Sequence, residues 1–184
     1  MPRPTRPTRP TPPVCPARRT RRRSARRAGG SLALVVLAAG ATGACGPTVQ
    51  VEVAPHAADP LCASVVLALP DELATYARLG TTSQATTAWG DPAAPIVLRC
   101  GVEPPGPTTD KCVTATDATG ASVDWIAVES DDPDGDSTWT FTTYGREPAV
   151  EVSVPPEVTN ENSTSFLVDL APAVTKTTQL RACV

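Results

Sequence analysis

Few residues in this chain have the type and spacing to do chemistry, and His56 is the first to test. It is the single histidine among 184 residues and stands in a polar stretch. A serine nucleophile of the Ser-His-Asp kind would need it as its base. No Gly-x-Ser-x-Gly elbow is present, and no spacing places a serine beside it. His56 therefore reads as a solvated histidine in a linker. A second cluster is Asp131-Asp132-Pro133-Asp134-Gly135-Asp136, with four carboxylates in six residues. Asp132, Asp134 and Asp136 alternate like the start of a calcium loop. However, Ser137 stands where the loop needs glycine and Thr143 where it needs its bidentate glutamate. Asp-Pro-Asp-Gly is ordinary turn chemistry, so the segment reads as a solvated hairpin tip and no metal or other cofactor is expected. A glycosidase would need two carboxylates roughly 5–10 Å apart, and nothing in the sequence forces Asp124 and Glu151 to that separation. The fourth possibility is an anionic ligand or partner. Arg99 and Arg146, with Trp89 and Tyr144 near them in sequence, are the candidate contacts; the alternative is that each arginine pairs with an acid on a neighbouring strand.

Charge narrows the partners. Residues 1–44 hold ten arginines and no acid, whereas residues 45–184 hold six basic residues against nineteen acids, a net charge of −13. So acidic a segment is a poor ligand for nucleic acid, whose binding rests on neutralising phosphates, and none is expected as a partner. Residues 1–30 are a low-complexity basic region that cannot build a core. Residues 31–44 supply the apolar run Leu32-Ala33-Leu34-Val35-Val36-Leu37-Ala38-Ala39 and a small-residue tail. A basic stretch followed by such a run is the pattern of a secretory signal, and the run is shorter than the roughly 20 residues a spanning helix wants. The long basic stretch leaves two explanations open: a start codon placed upstream of the native one, or a twin-arginine signal using Arg26-Arg27.

Thr42-Gly43-Ala44-Cys45 resembles a bacterial lipobox, with Thr42 where an aliphatic residue is usual. Ordinary cleavage with Cys45 incidental is the alternative. Parity favours lipidation. Residues 45–184 contain Cys45, Cys62, Cys100, Cys112 and Cys183, an odd number for an oxidising compartment. A lipid on Cys45 leaves four cysteines for two disulfides. The expectation is an exported domain over 45–184, held to the outer face of the cytoplasmic membrane through Cys45.

The elements that must position these residues follow from periodicity. Thr48 to Val53 alternates as a strand. Asp59-Pro60 predicts a helix start, Leu61, Val65 and Leu69 its apolar stripe, and Pro70 its stop. A short helical turn is expected from Asp71 to Leu79. Strands are predicted at Pro95–Cys100, Val123–Val128, Trp139–Tyr144 and Ala149–Val154, and a helix from Ser165 to Leu170 kinked near Pro172. The fold class is therefore α+β: an antiparallel meander with about two helices packed on one face. A valine-rich core with only 4% aromatic residues gains from cross-links. Three pairings of the four cysteines are possible. The short spacing of Cys100 and Cys112 favours a hairpin clasp, which leaves Cys62 with Cys183.

Several stretches together resemble the domain of unknown function 3515 family of small actinobacterial envelope proteins. They are Ala88-Trp89-Gly90-Asp91-Pro92 with Ile96 to Val102, Val123-Asp124-Trp125, Phe141 to Arg146 with Pro148 to Pro155, and a weaker piece at Leu167–Val174. The resemblance implies an envelope location and a fold but no chemistry. A non-catalytic accessory or interaction module is the leading expectation, acting on an envelope protein or wall component. A small anionic-ligand-binding lipoprotein comes next, and a wall-acting enzyme last.

Overall fold

Asp59 and Pro60 start the first helix as their types require. The Asp59 carboxylate accepts from the Leu61 N–H at 2.8 Å, and Pro60 occupies the first turn, where its missing N–H costs nothing. The computed structural model describes residues 46–130, 137–162 and 164–184. These lie in the second of two compact units, Gly43–Val184. Residues 1–45, with the expected signal segment and Cys45, and the acidic segment 131–136, expected as a hairpin tip, fall outside the described residues.

In chain order the elements are β1 (Thr48–Val49), α1 (Pro60–Ala68), β2 (Glu72–Leu73), β3 (Tyr76–Thr81), β4 (Thr86–Asp91), β5 (Ala94–Val102) and β6 (Lys111–Thr116). Then follow β7 (Ser122–Glu129), β8 (Trp139–Thr143), β9 (Arg146–Glu147), β10 (Ala149–Val154), α2 (Pro156–Asn162), α3 (Phe166–Val174) and β11 (Thr178–Gln179). One sheet runs in the order β1-β3-β4-β5-β10-β8-β7-β6, with β2 also on β3, and β9 and β11 form a separate ribbon. Every pair is antiparallel except β1 with β3. The expected α+β class holds, and β7, β8 and β10 form the meander. The helices cover one face. Val65 and Leu69 of α1, Val158 of α2, and Phe166, Leu167 and Leu170 of α3 join Trp89, Leu98, Trp125, Phe141, Val150, Val152 and Val154 in the core. Phe141 meets Phe166 edge-on at 5.8 Å between ring centroids, a geometry aromatic quadrupoles favour. The other face carries Arg99, Asp124, Thr142 and Glu151, the alternate positions of the same strands.

Three expectations are corrected. Residues 71–79 are not helical: β2 and β3 make a hairpin there, turned by Ala74 at φ 54°. Alanine rarely adopts that conformation, so no Asn-Gly signal marked the turn. The first strand is shorter than 48–53, because the ladder ends after Thr48 and Val49, paired with Gly80 and Thr81, and Val51 bonds the Thr82 and Ser83 side chains instead. The disulfides join Cys62 to Cys100 and Cys112 to Cys183, with Cα–Cα distances of 5.5 and 6.6 Å, not Cys100 to Cys112 and Cys62 to Cys183. The reason is topological. Cys100 is on β5 and Cys112 on β6, with β10, β8 and β7 between them. At about 4.8 Å per strand they stand roughly 19 Å apart across the sheet, far beyond disulfide reach. Cys100 instead faces the core under α1, where Cys62 lies in the helix's buried stripe.

α3 continues through the exposed Pro172 to Val174, and the Thr175 N–H closes it on the Ala171 carbonyl. α1 ends differently. The Arg78 guanidinium donates to the carbonyls of Val66 (3.2 Å) and Leu69 (3.4 Å), placing a cation on the negative end of the helix. The other end offers a simple test. Asp59→Ala removes the N-cap and is expected to cost about 1 kcal/mol in denaturant unfolding; an unchanged midpoint would show that the cap contributes nothing.

Candidate functional site

The four candidate contacts are built from different parts of the fold and do not converge. Trp89 is fully buried on β4, its indole N–H given to the Pro70 carbonyl at 3.1 Å, so it is a core residue. Arg99 projects from β5 on the open face of the sheet. Directly across on β10 is Glu151, and one carboxylate oxygen accepts from Arg99 Nε at 3.1 Å and from a terminal nitrogen at 2.7 Å. The depression of about 440 Å³ beside this pair is also lined by Glu52 and Glu103, an acidic setting that disfavours an anion. Of the two readings of Arg99, the ion pair with a neighbouring strand is the one the geometry supports.

Arg146 is 5% exposed, among the most buried polar residues described. It follows Gly145, whose φ of 63° and lack of Cβ let the Arg181 backbone pass directly over it. The Arg146 guanidinium donates to the carbonyls of Thr177 (3.2 Å) and Ser122 (3.0 Å) and to Gln179 Oε1 (3.2 Å). Burial lowers its pKa and the Asp124 charge opposes that shift. Three hydrogen bonds from its two terminal nitrogens tie Thr177 and Gln179 to Ser122 at the start of β7. Arg146 is thus a buried clamp for the last segment of the chain.

Around this clamp the structure assembles a group that sequence spacing did not reveal. The N–H groups of Leu180 and Arg181 both reach the Gly145 carbonyl, at 2.7 and 3.1 Å. The Cys183 N–H donates to Asp124 Oδ2 at 2.9 Å, and the Thr114 hydroxyl to Asp124 Oδ1 at 2.7 Å. Both cysteine sulfurs of the Cys112–Cys183 bridge and a carboxylate oxygen of Asp124 lie within 4.8 Å of one another. Half-buried Tyr144 lines the adjoining depression of about 310 Å³ with Thr108, Thr109, Asp110 and Ile126. Of the two acids named for glycoside chemistry, Asp124 is on β7 and Glu151 on β10 with β8 between them, and Glu151 is engaged by Arg99.

His56 is exposed yet not a free linker residue. Its N–H bonds the Gly101 carbonyl at 2.8 Å, and its Nε2 lies 2.9 Å from Glu103 Oε1. It borders a depression of about 220 Å³ with Asp59, Glu103, Glu147 and Pro148. An imidazole–carboxylate pair can move a proton, but no serine, threonine or cysteine lines this depression to serve as nucleophile.

No curated protein and no solved structure matches the chain significantly. A family model described as a protein of unknown function, DUF3515, matches residues 30–183, and the chain belongs to that family.

Proposed function

We propose that this chain is an exported lipoprotein of the cell envelope, processed at Cys45, and that it serves as a non-catalytic accessory or interaction module for an envelope protein or wall component. The observation that carries the reading is cysteine usage. Cys62, Cys100, Cys112 and Cys183 are joined in two bridges, which leaves Cys45 as the odd thiol of residues 45–184, the sixth cysteine, Cys15, standing in the basic region ahead of the apolar run. Paired structural disulfides belong to oxidising compartments, and the lipobox-like Thr42-Gly43-Ala44-Cys45 gives the odd thiol a use. β1 begins at Thr48, so the tether from the lipid to the folded domain is only a few residues long. The broad polar face around Arg99, Thr142 and Glu151 is the surface such a module offers a partner.

Cys45→Ser in the full chain is expected to abolish incorporation of an alkyne-tagged fatty acid and to release the domain from the membrane fraction or trap the precursor. A variant that fractionates and is cleaved like wild type would overturn the anchor.

A further inference from the structure

We propose that the uncharged outer face of α1, with the groove beside it, rests on the bilayer that carries the Cys45 anchor, so that the domain sits on the membrane in one orientation. The proposal rests on the lipid reading of Cys45 and adds the surface that meets the lipid.

α1 reads Pro-Leu-Cys-Ala-Ser-Val-Val-Leu-Ala and has no charged residue. A helix apolar all round is ordinarily buried all round, yet only Cys62 and Val65 of α1 are buried. Pro60, Ala63, Ser64, Leu67 and Ala68 face solvent. Leu67 is 86% exposed, more than any other large apolar side chain described except the terminal Val184. Beside it runs a groove of about 460 Å³, lined mainly by Pro60, Ala63, Val66, Leu67, Gln84 and Ala85. The one charge on the groove is Asp59, whose carboxylate already accepts from the Leu61 N–H. In a segment of net charge −13 this patch is neutral, and contiguous exposed apolar surface marks a protein or membrane contact.

The position of the anchor selects the membrane. Cys45 and Thr48, where β1 begins, are three positions apart, a reach of about 10 Å at most. A lipid on Cys45 therefore draws the β1 edge of the sheet down to the bilayer. The groove adjoins that edge. Val51, just past β1, donates to the Thr82 hydroxyl and accepts from the Ser83 hydroxyl, and Gln84 and Ala85, the next residues, form one wall of the groove. The opposite edge, β6, is seven strands away, roughly 34 Å. A leucine and a few small residues are too little to hold a free protein on lipid. The tether keeps them at high local concentration, which turns a weak contact into a stable orientation. Leu67 then enters the boundary between headgroups and acyl chains. The helices and the polar face lie on opposite sides of the sheet, so this contact leaves Arg99, Thr142 and Glu151 in water.

The test uses the mature, lipid-bearing protein reconstituted in phosphatidylcholine vesicles, neutral because anionic lipid repels an acidic domain. Leu67→Cys and Thr116→Cys, the second on β6, are each labelled with an environment-sensitive fluorophore. With Cys45 lipidated and the other four cysteines bridged, the introduced thiol is the one that reacts. Both positions are exposed, so wild-type melting checks the fold. Lipid brominated in its acyl chains should quench the probe at 67 at least about threefold more strongly than the probe at 116. Equal quenching at both positions in a lipid-anchored protein would overturn the proposal and leave the anchor standing. Self-quenching between probes at 67 that rises with protein per vesicle, without quenching by lipid, would assign the face to a second copy and overturn it too. A chain that carries no lipid at Cys45 would overturn both readings.

Discussion

Replacing Arg146 with Gln is expected to lower the domain's stability by about 3–5 kcal/mol, because it leaves buried partners without their charge-assisted donor. The Thr177 and Ser122 carbonyls and the Gln179 side chain would all lose their contacts at once. For a domain of this size that loss corresponds to roughly 10 °C or more in melting temperature. The comparison is Arg99→Gln. Arg99 and Glu151 are 28% and 21% exposed in their side chains, and their ion pair lies on the solvent side of the sheet. Its loss should cost no more than about 1 kcal/mol. Calorimetry of the two variants separates a structural clamp from a surface pair. An Arg146→Gln protein that melts within a degree or two of wild type would mean that the disulfide and the backbone hydrogen bonds to Gly145 and Asp124 hold the last segment without the guanidinium.

The second large effect concerns the inner bridge. Chain entropy alone gives the two disulfides nearly equal weight, about 4 kcal/mol each for sequence separations of 38 and 71. The native state breaks the tie. Cys62→Ala with Cys100→Ala empties sulfur volume from a sealed site between helix and sheet, so a cavity cost adds to the entropic one. Cys112→Ala with Cys183→Ala leaves a segment that Arg146 and Gly145 continue to hold. Loss of the inner pair should therefore cost more than loss of the outer, and about 4 kcal/mol or more in urea unfolding, a large fraction of the 5–15 kcal/mol that domains possess. The reverse ranking would show that the outer bridge organises the fold.

How much of this was legible in the sequence depended on whether a signal was local. α1 was readable because Asp59, Pro60 and Pro70 mark its ends with their own chemistry. β5, β7, β8 and β10 were readable because one face is buried and the other wet. β4 was not, since Thr86, Thr87, Ala88 and Trp89 are all buried and no alternation remains. β6 is a threonine-rich strand at the end of the sheet, and its Lys-Cys-Val-Thr-Ala-Thr run lacks a strong apolar face. The disulfide pairing was not legible because closeness along the chain is not closeness in space: the crossover from β5 to β6 spans the sheet. The surroundings of the site residues were hidden for a related reason. Arg146 and Trp89 stand in distinctive stretches because they satisfy carbonyls at the ends of other elements, and those partners lie far off in sequence. Asp124 is plain in the sequence as an acid, but its placement against Cys183 depends on the path of the last eight residues, which no periodicity encodes.

The two bridges also set how far the molecule can be pulled. Their loops follow one another along the chain without overlapping, from 62 to 100 and from 112 to 183. Under tension between residues 46 and 184, an unfolded but oxidised chain pays out only about 30 residues of contour, roughly 100 Å instead of about 480 Å. A protease cut inside either loop leaves the two pieces covalently joined. A tethered domain wired in this way would keep its reach short and its fragments attached even after its fold is lost.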